Sequence, residues 1–141
     1  MRIIFVCTGN TCRSPLAEGI AHRLMPDFDI QSKGLMAQTG QPISTHSREL
    51  LDRHQLSGPD TARLFDERDA TADLILTMTS AHQQMIQAMY GTKVNVHTLN
   101  QYVNETGTVV DPYGSGFETY EKVFDQLSRL IEKLKEKLVI E

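Results

Sequence analysis

Cysteine is scarce in this sequence: among 141 residues there are two, Cys7 and Cys12. A disulfide scaffold needs more, and a zinc site needs more Cys or His at ligand spacing. The five histidines, His22, His46, His54, His82 and His97, lie far apart, and surface or packing positions are expected for them. No metal is called for. Long apolar runs are missing too. The longest, such as 3–7, fall far short of the roughly 20 residues that cross a bilayer. The opening Met1-Arg2-Ile3-Ile4-Phe5-Val6 is too short for a secretory leader and runs straight into a polar loop. A cytoplasmic protein with no membrane partner is the expectation. An excess of basic charge is also lacking. The formal charge of −4 argues against a nucleic-acid partner. No repeat, linker or low-complexity tract interrupts the chain. What remains is a globular balance, 40% apolar and 23% charged, of a length that suits one domain over 1–141.

Strand-like and helix-like patterns alternate along that length. Ile3 to Val6 is β-branched and aromatic, as in a strand buried on both faces. After the turn from Cys7 to Arg13, Ser14 fits a helix N-cap, Pro15 the first helical position, and Glu18 supports the first turn. Pro26 ends that helix. Phe28 to Ser32 alternates as a half-buried edge strand does, and 33–44 reads as a long loop. A short helix is predicted over 45–54, and 61–72 is ambiguous. Residues 73–78 form a second buried strand. Thr79 or Ser80 caps a helix that runs to Tyr90 and stops at Gly91, and Met85 and Met89 are expected in the core. Residues 94–97 read as a third central strand. From Gly116 onward Phe117, Tyr120, Phe124, Leu127, Ile131, Leu134 and Leu138 recur at helical spacing. Such alternation predicts an α/β fold, a parallel sheet with helices on both faces in three layers. Ligands of such sheets bind at the carboxyl ends of the strands.

The turn at the end of the first strand is Cys7-Thr8-Gly9-Asn10-Thr11-Cys12-Arg13-Ser14. Five residues separate Cys7 from Arg13, between a strand and a helix. Physically this is an anion trap with a nucleophile at its floor. Backbone N–H groups of a tight loop join the positive end of the helix dipole. Arg13 can grip two oxygens of a phosphate with its planar fork. That environment favours the thiolate of Cys7, the reactive form, and Ser14 can donate a hydroxyl hydrogen to it. Asn10 tolerates positive φ or stiffens the loop, and Gly9 lets the backbone curl close to the anion. Thr8 contributes its backbone, and its side chain is within reach of a substrate.

Phosphoryl transfer to Cys7 also needs a proton donor for the leaving group. Asp111-Pro112-Tyr113-Gly114 supplies one. Alone, Asp-Pro reads as an ordinary turn. Beside the cysteine loop, Asp111 is placed to protonate the departing atom and then to activate the water that cleaves a phosphocysteine. Tyr113 would then wall the pocket, or else be an ordinary loop aromatic.

These residues resemble the low-molecular-weight protein tyrosine phosphatases. Residues 4–18 read like that family's N-terminal signature, and 111–114 like its general-acid loop. The resemblance spans essentially the whole chain. It implies a four-stranded parallel sheet with the phosphate-binding loop after the first strand. It also implies a cofactor-free, metal-free, two-step mechanism on phosphorylated proteins that releases inorganic phosphate. In the family, the residue matching Cys7 is the nucleophile, Arg13 the phosphate ligand and Asp111 the general acid. Thr8, Gly9, Asn10, Thr11, Cys12, Ser14 and Tyr113 complete the phosphate and substrate site. The position of Cys12 holds a second cysteine that forms a reversible disulfide with the nucleophile; from the residues alone, Cys12 is equally a packed small side chain. A monomer is the expectation.

Thr11 refines the reading. Tyrosine-specific members carry an aliphatic residue there, and a threonine resembles the bacterial protein-arginine phosphatase branch. A hydroxyl can accept a bond from the donor-rich guanidinium of phosphoarginine, whereas an aliphatic wall leaves those donors unpaired. The alternatives are a tyrosine phosphatase of the same mechanism and a threonine that merely bonds its own loop. A thiol-dependent arsenate reductase, with a similar loop, passes oxidation to later cysteines, and none follows Cys12. A binding module would have little use for both Cys7 and Asp111.

Overall fold

A computed structural model describes residues 1–140. The strands are β1 (Arg2–Cys7), β2 (Asp29–Gly34), β3 (Leu74–Thr77) and β4 (Val96–Thr98). All pair in parallel, in the order β2-β1-β3-β4. The helices are α1 (Arg13–Leu24), α2 (Thr45–Arg53), α3 (Ser80–Tyr90), α4 (Leu99–Tyr102) and α5 (Phe117–Ile140). Every strand is therefore reached by a crossover, which puts helices on the sheet faces.

Strand β1 is central and alternates its burial between two cores. Ile3, Phe5 and Cys7 pack with Leu16, Leu51, Leu127 and Ile131 on the side of α1, α2 and α5. Ile4 and Val6 pack with Phe65, Ile75, Ile86 and Val96 on the side of α3. The register sets Val6 against Lys33 and Thr77, and Cys7 against Gly34. The carboxyl end of β1 is thus held from both sides. The α5 stripe is buried at Tyr120, Phe124, Leu127, Ile131 and Leu134 as its spacing predicts. Thr79 caps α3, accepting the His82 N–H, and Gly91 stops it at φ 96°.

Several local expectations are corrected. The third central strand is an edge strand, shifted to 96–98, because β3 intervenes between it and β1. Met85 and Met89 are not core residues; Met89 is 58% exposed, on the outer face of α3. The loop at 33–44 begins two residues later, since Lys33 and Gly34 complete β2. Helix α1 starts at Arg13 with Cys12 as its N-cap, and no side chain caps it. Ser14 lies inside the helix and Pro15 is its third residue. Ser14 and Glu18 are turned inward, to partners that matter more.

Candidate functional site

Residues 7–13 curl around a cavity of about 320 Å3 lined by Cys7, Thr8, Gly9, Thr11, Cys12, Arg13, Gln41, Asp111 and Tyr113. The uncapped start of α1 leaves its first N–H groups without a side-chain acceptor, an arrangement that a bound anion completes. Cys7 is 3% exposed, at the end of β1. Asn10 is buried and takes φ 55°, the left-handed conformation its short polar side chain tolerates. Gly34 presses on the loop from β2: a Cβ there would lie 2.7 Å from the Thr8 carbonyl oxygen and 2.8 Å from Asn10 N. Only glycine allows that approach.

A buried chain of hydrogen bonds backs the loop, and its direction can be read. The Arg63 backbone N–H donates to Asn10 Oδ1 over 2.8 Å, which fixes the amide orientation. Asn10 Nδ2 therefore donates to Ser14 Oγ (2.8 Å) and Ser32 Oγ (3.0 Å). Ser32 gives its own hydrogen to Glu18 Oε1 at 2.9 Å, and Arg63 Nη2 donates to the same oxygen at 2.6 Å. Ser14, having accepted from Asn10, is left to donate to Cys7 Sγ, 2.9 Å away. The hydroxyl hydrogen thus faces the sulfur, a donor aimed at the atom on the cavity floor. Burial by itself would raise the Glu18 carboxyl. The bond from His22, the Arg63 charge and the bonds from Ser32 and Arg63 outweigh it and hold Glu18 below its ordinary 4.5.

Arg13 is buried and joins the loop to the segment after α4. Its Nη1 donates to the Val109 carbonyl at 3.1 Å, and its Nη2 lies 3.7 Å from Asp111 Oδ2. Asp111 accepts the Tyr113 N–H at 3.1 Å, an Asx turn that turns the carboxylate into the cavity mouth. Tyr113 lines the cavity but is 78% exposed, a side wall open to solvent. Cys12 is buried, with Sγ 3.3 Å from the Tyr120 hydroxyl. Burial, then the Cys12 contact, push Tyr120 up to about 12. Thr11 Oγ1 lies 3.7 Å from Cys12 Sγ and, among the described residues, bonds no loop backbone. Its hydroxyl is available to a ligand.

The fold brings the ten residues named from the sequence to one place, eight lining the cavity and Asn10 and Ser14 behind it, and adds five that the sequence did not single out. Gln41 lines the cavity. Glu18, Ser32 and Arg63 back the loop. His82, expected at the surface or in packing, is buried with Nε2 2.8 Å from Thr8 Oγ1. The last contact gives the Thr8 side chain a protein partner. The sole sequence signal for it was the position of His82, three residues after the helix cap Thr79.

Comparison with known proteins agrees with this geometry. The profile of the family described as "Low molecular weight phosphotyrosine protein phosphatase" matches residues 2–141. The low molecular weight protein-tyrosine-phosphatase PtpB of Staphylococcus epidermidis is 50% identical over 135 residues, 96% of this chain and 97% of that one. Among solved structures, the YwlE arginine phosphatase of Geobacillus stearothermophilus superposes with TM-score 0.92 at 35% identity, covering 99% of this chain and 93% of that one. A YwlE arginine phosphatase solved as a cysteine-to-serine mutant with a phosphorylated active-site serine gives TM-score 0.93 at 33% identity, covering 98% and 95%. The chain belongs to the low molecular weight phosphotyrosine protein phosphatase family. It is a cysteine-dependent protein phosphatase. Among its described residues, no helix is long and apolar enough to cross a membrane.

Proposed function

We propose that this phosphatase acts on phosphoarginine in cytoplasmic proteins, with Cys7 as nucleophile, Arg13 as phosphate ligand and Asp111 as general acid and base. The Cys7 thiolate attacks phosphorus. An S–P bond forms as the P–N bond breaks, and Asp111 gives its proton to the leaving nitrogen. Water then attacks the phosphocysteine and Asp111 takes its proton. The S–P bond breaks, inorganic phosphate leaves and the thiolate is regenerated. Loop N–H groups and the Arg13 fork hold the equatorial oxygens through both steps.

The observation that carries the arginine reading is the hydroxyl of Thr11 in the cavity wall, held among the described residues only by the long contact to Cys12 Sγ. It can accept from a guanidinium N–H, a role no aliphatic side chain fills. The similarity to the YwlE arginine phosphatases is in keeping with it. The second reading, phosphotyrosine, is favoured by the name of the Staphylococcus relative and by Tyr113 beside the cavity. The test compares kcat/KM for matched phosphoarginine and phosphotyrosine peptides, in wild type and Thr11→Ile. Wild type should prefer phosphoarginine, and Thr11→Ile should shift preference toward phosphotyrosine by tenfold or more, roughly the cost of leaving one buried donor unpaired. A wild type that strongly prefers phosphotyrosine removes the arginine reading and keeps the mechanism.

A further inference from the structure

His82 is a buried imidazole that the two-step chemistry does not use. It sits in the first turn of α3, behind the cavity wall. Its ring spans two hydroxyls: Nε2 is 2.8 Å from Thr8 Oγ1, and Nδ1 is 3.1 Å from Thr79 Oγ1. Thr8 lines the cavity next to Cys7. Thr79 is the N-cap of the helix that carries His82.

Of the two neutral tautomers, Nε2–H is the one that gives the Thr79 hydroxyl hydrogen a protein acceptor and leaves the Thr8 hydrogen to a ligand. Thr79 Oγ1 already accepts the His82 backbone N–H at 3.3 Å. Its own hydrogen has one acceptor among the described residues, His82 Nδ1. Burial first, and the charge of Arg13 second, push His82 down to about 4 against the opposing pull of Asp111, so the ring is neutral at pH 7. A neutral ring that accepts at Nδ1 carries its hydrogen on Nε2. Nε2–H then donates to Thr8 Oγ1. With that lone pair occupied, the Thr8 hydroxyl hydrogen is left for an acceptor other than His82, and Thr8 lines the cavity.

Resting on the phosphate-loop reading given above, we propose that Thr8 is a phosphate-binding side chain and that His82 is its positioning residue. His82 holds the Thr8 hydroxyl as a hydrogen donor to the phosphoryl group seated over Cys7. The loop then offers a side-chain donor in addition to its backbone N–H groups and the Arg13 fork. A hydroxyl oriented before substrate arrives costs no reorganisation when charge develops.

The experiment uses the full chain with inorganic phosphate as competitive inhibitor, on Thr8→Val, His82→Leu, His82→Gln and the double variant Thr8→Val/His82→Leu. Thr8→Val should weaken phosphate inhibition about tenfold, the worth of one hydrogen bond to a charged group. His82→Leu should weaken it severalfold. The double variant should be no worse than Thr8→Val, since His82 acts only through that hydroxyl. His82→Gln, whose amide can donate near the Nε2 position, should recover most of the loss. Nitrogen-15 shifts of the wild-type ring should report the Nε2–H tautomer, a readout independent of variant folding. Unchanged phosphate inhibition in Thr8→Val, additive losses in the double variant, or an Nδ1–H ring each overturns the proposal. Cys7→Ser separates the two levels: retained turnover there overturns the phosphocysteine reading, whereas a dead Cys7→Ser with an unaffected Thr8→Val overturns only this one.

Discussion

The buried guanidinium of Arg13 faces the carboxylate of Asp111 at 3.7 Å, across the mouth of the cavity. One group belongs to the start of α1 and the other to the loop after α4, and the Arg13 bond to the Val109 carbonyl ties the two segments together. In the proposed mechanism a phosphate gripped by Arg13 arrives beside the acid that serves it. Asp111→Asn keeps the shape and removes the transferable proton. The expected result is a fall in kcat of about 10²–10⁴, the usual contribution of a general acid, with inorganic phosphate still inhibiting. Stopped-flow and steady-state kinetics check both parts. The loss should shrink on aryl phosphates with acidic leaving groups, which depart without protonation.

The hydroxyl of Ser14 touches Cys7 Sγ, the sulfur that the proposed mechanism makes the nucleophile of the first step and the leaving group of the second. Ser14→Ala removes the donor that stabilises the departing thiolate. Breakdown of the phosphoenzyme should slow about tenfold, by the worth of one charge-assisted hydrogen bond. Rapid quench should show a burst of leaving group larger than in wild type. Equal slowing of both steps would instead mean that the hydroxyl serves the loop's shape.

The order of hydrogen donation behind the loop depends on Glu18 being ionised. Its carboxyl is held below 4.5, so its contribution to stability is present above that ordinary value and is lost as pH falls through the lower folded value. Glu18→Gln should lower Tm at pH 7, with the gap to wild type closing as pH falls from 4.5 through the lower folded value. Arg63→Met, which strips the buried carboxylate of its cation, should cost about 2–3 kcal/mol at pH 7. Differential scanning calorimetry across pH measures both.

His82 gives a second pH signature, in a different window. Its folded value of about 4 lies below the ordinary 6.5. A histidine held neutral by folding contributes stability that is complete above 6.5 and declines as pH falls toward 4. Wild type should lose stability across that window more steeply than His82→Gln. Urea unfolding at pH 7.0, 5.5 and 4.5 would show it, and parallel curves would refute it.

Much of the layout was legible in the sequence because it rests on local patterns. The apolar run of β1, the glycine-bearing turn and the α5 stripe each announce themselves within a few residues. So does the Thr79–Gly91 helix. The Cys7-to-Arg13 spacing and Asp111-Pro112 carried the site for the same reason. What escaped was decided by pairing across the chain. Nothing local tells residues 94–97 that β3 will lie between them and β1. Ser14 and Glu18 matched a capping pattern, yet both were claimed by Cys7, Asn10, Ser32 and Arg63 from elsewhere in the chain. His82 was one of five scattered histidines until the fold set it against Thr8.

Gly34 shows how narrow the tolerance of such a site can be. At the end of β2, main chain rests against main chain, with the Thr8 carbonyl and Asn10 nitrogen where a side chain would begin. Neither neighbour can swing aside as a flexible side chain would. One added methyl group would therefore lift the floor under Cys7 and unseat Asn10 from its three hydrogen bonds, so the whole catalytic ring has its shape set by an atom that is missing.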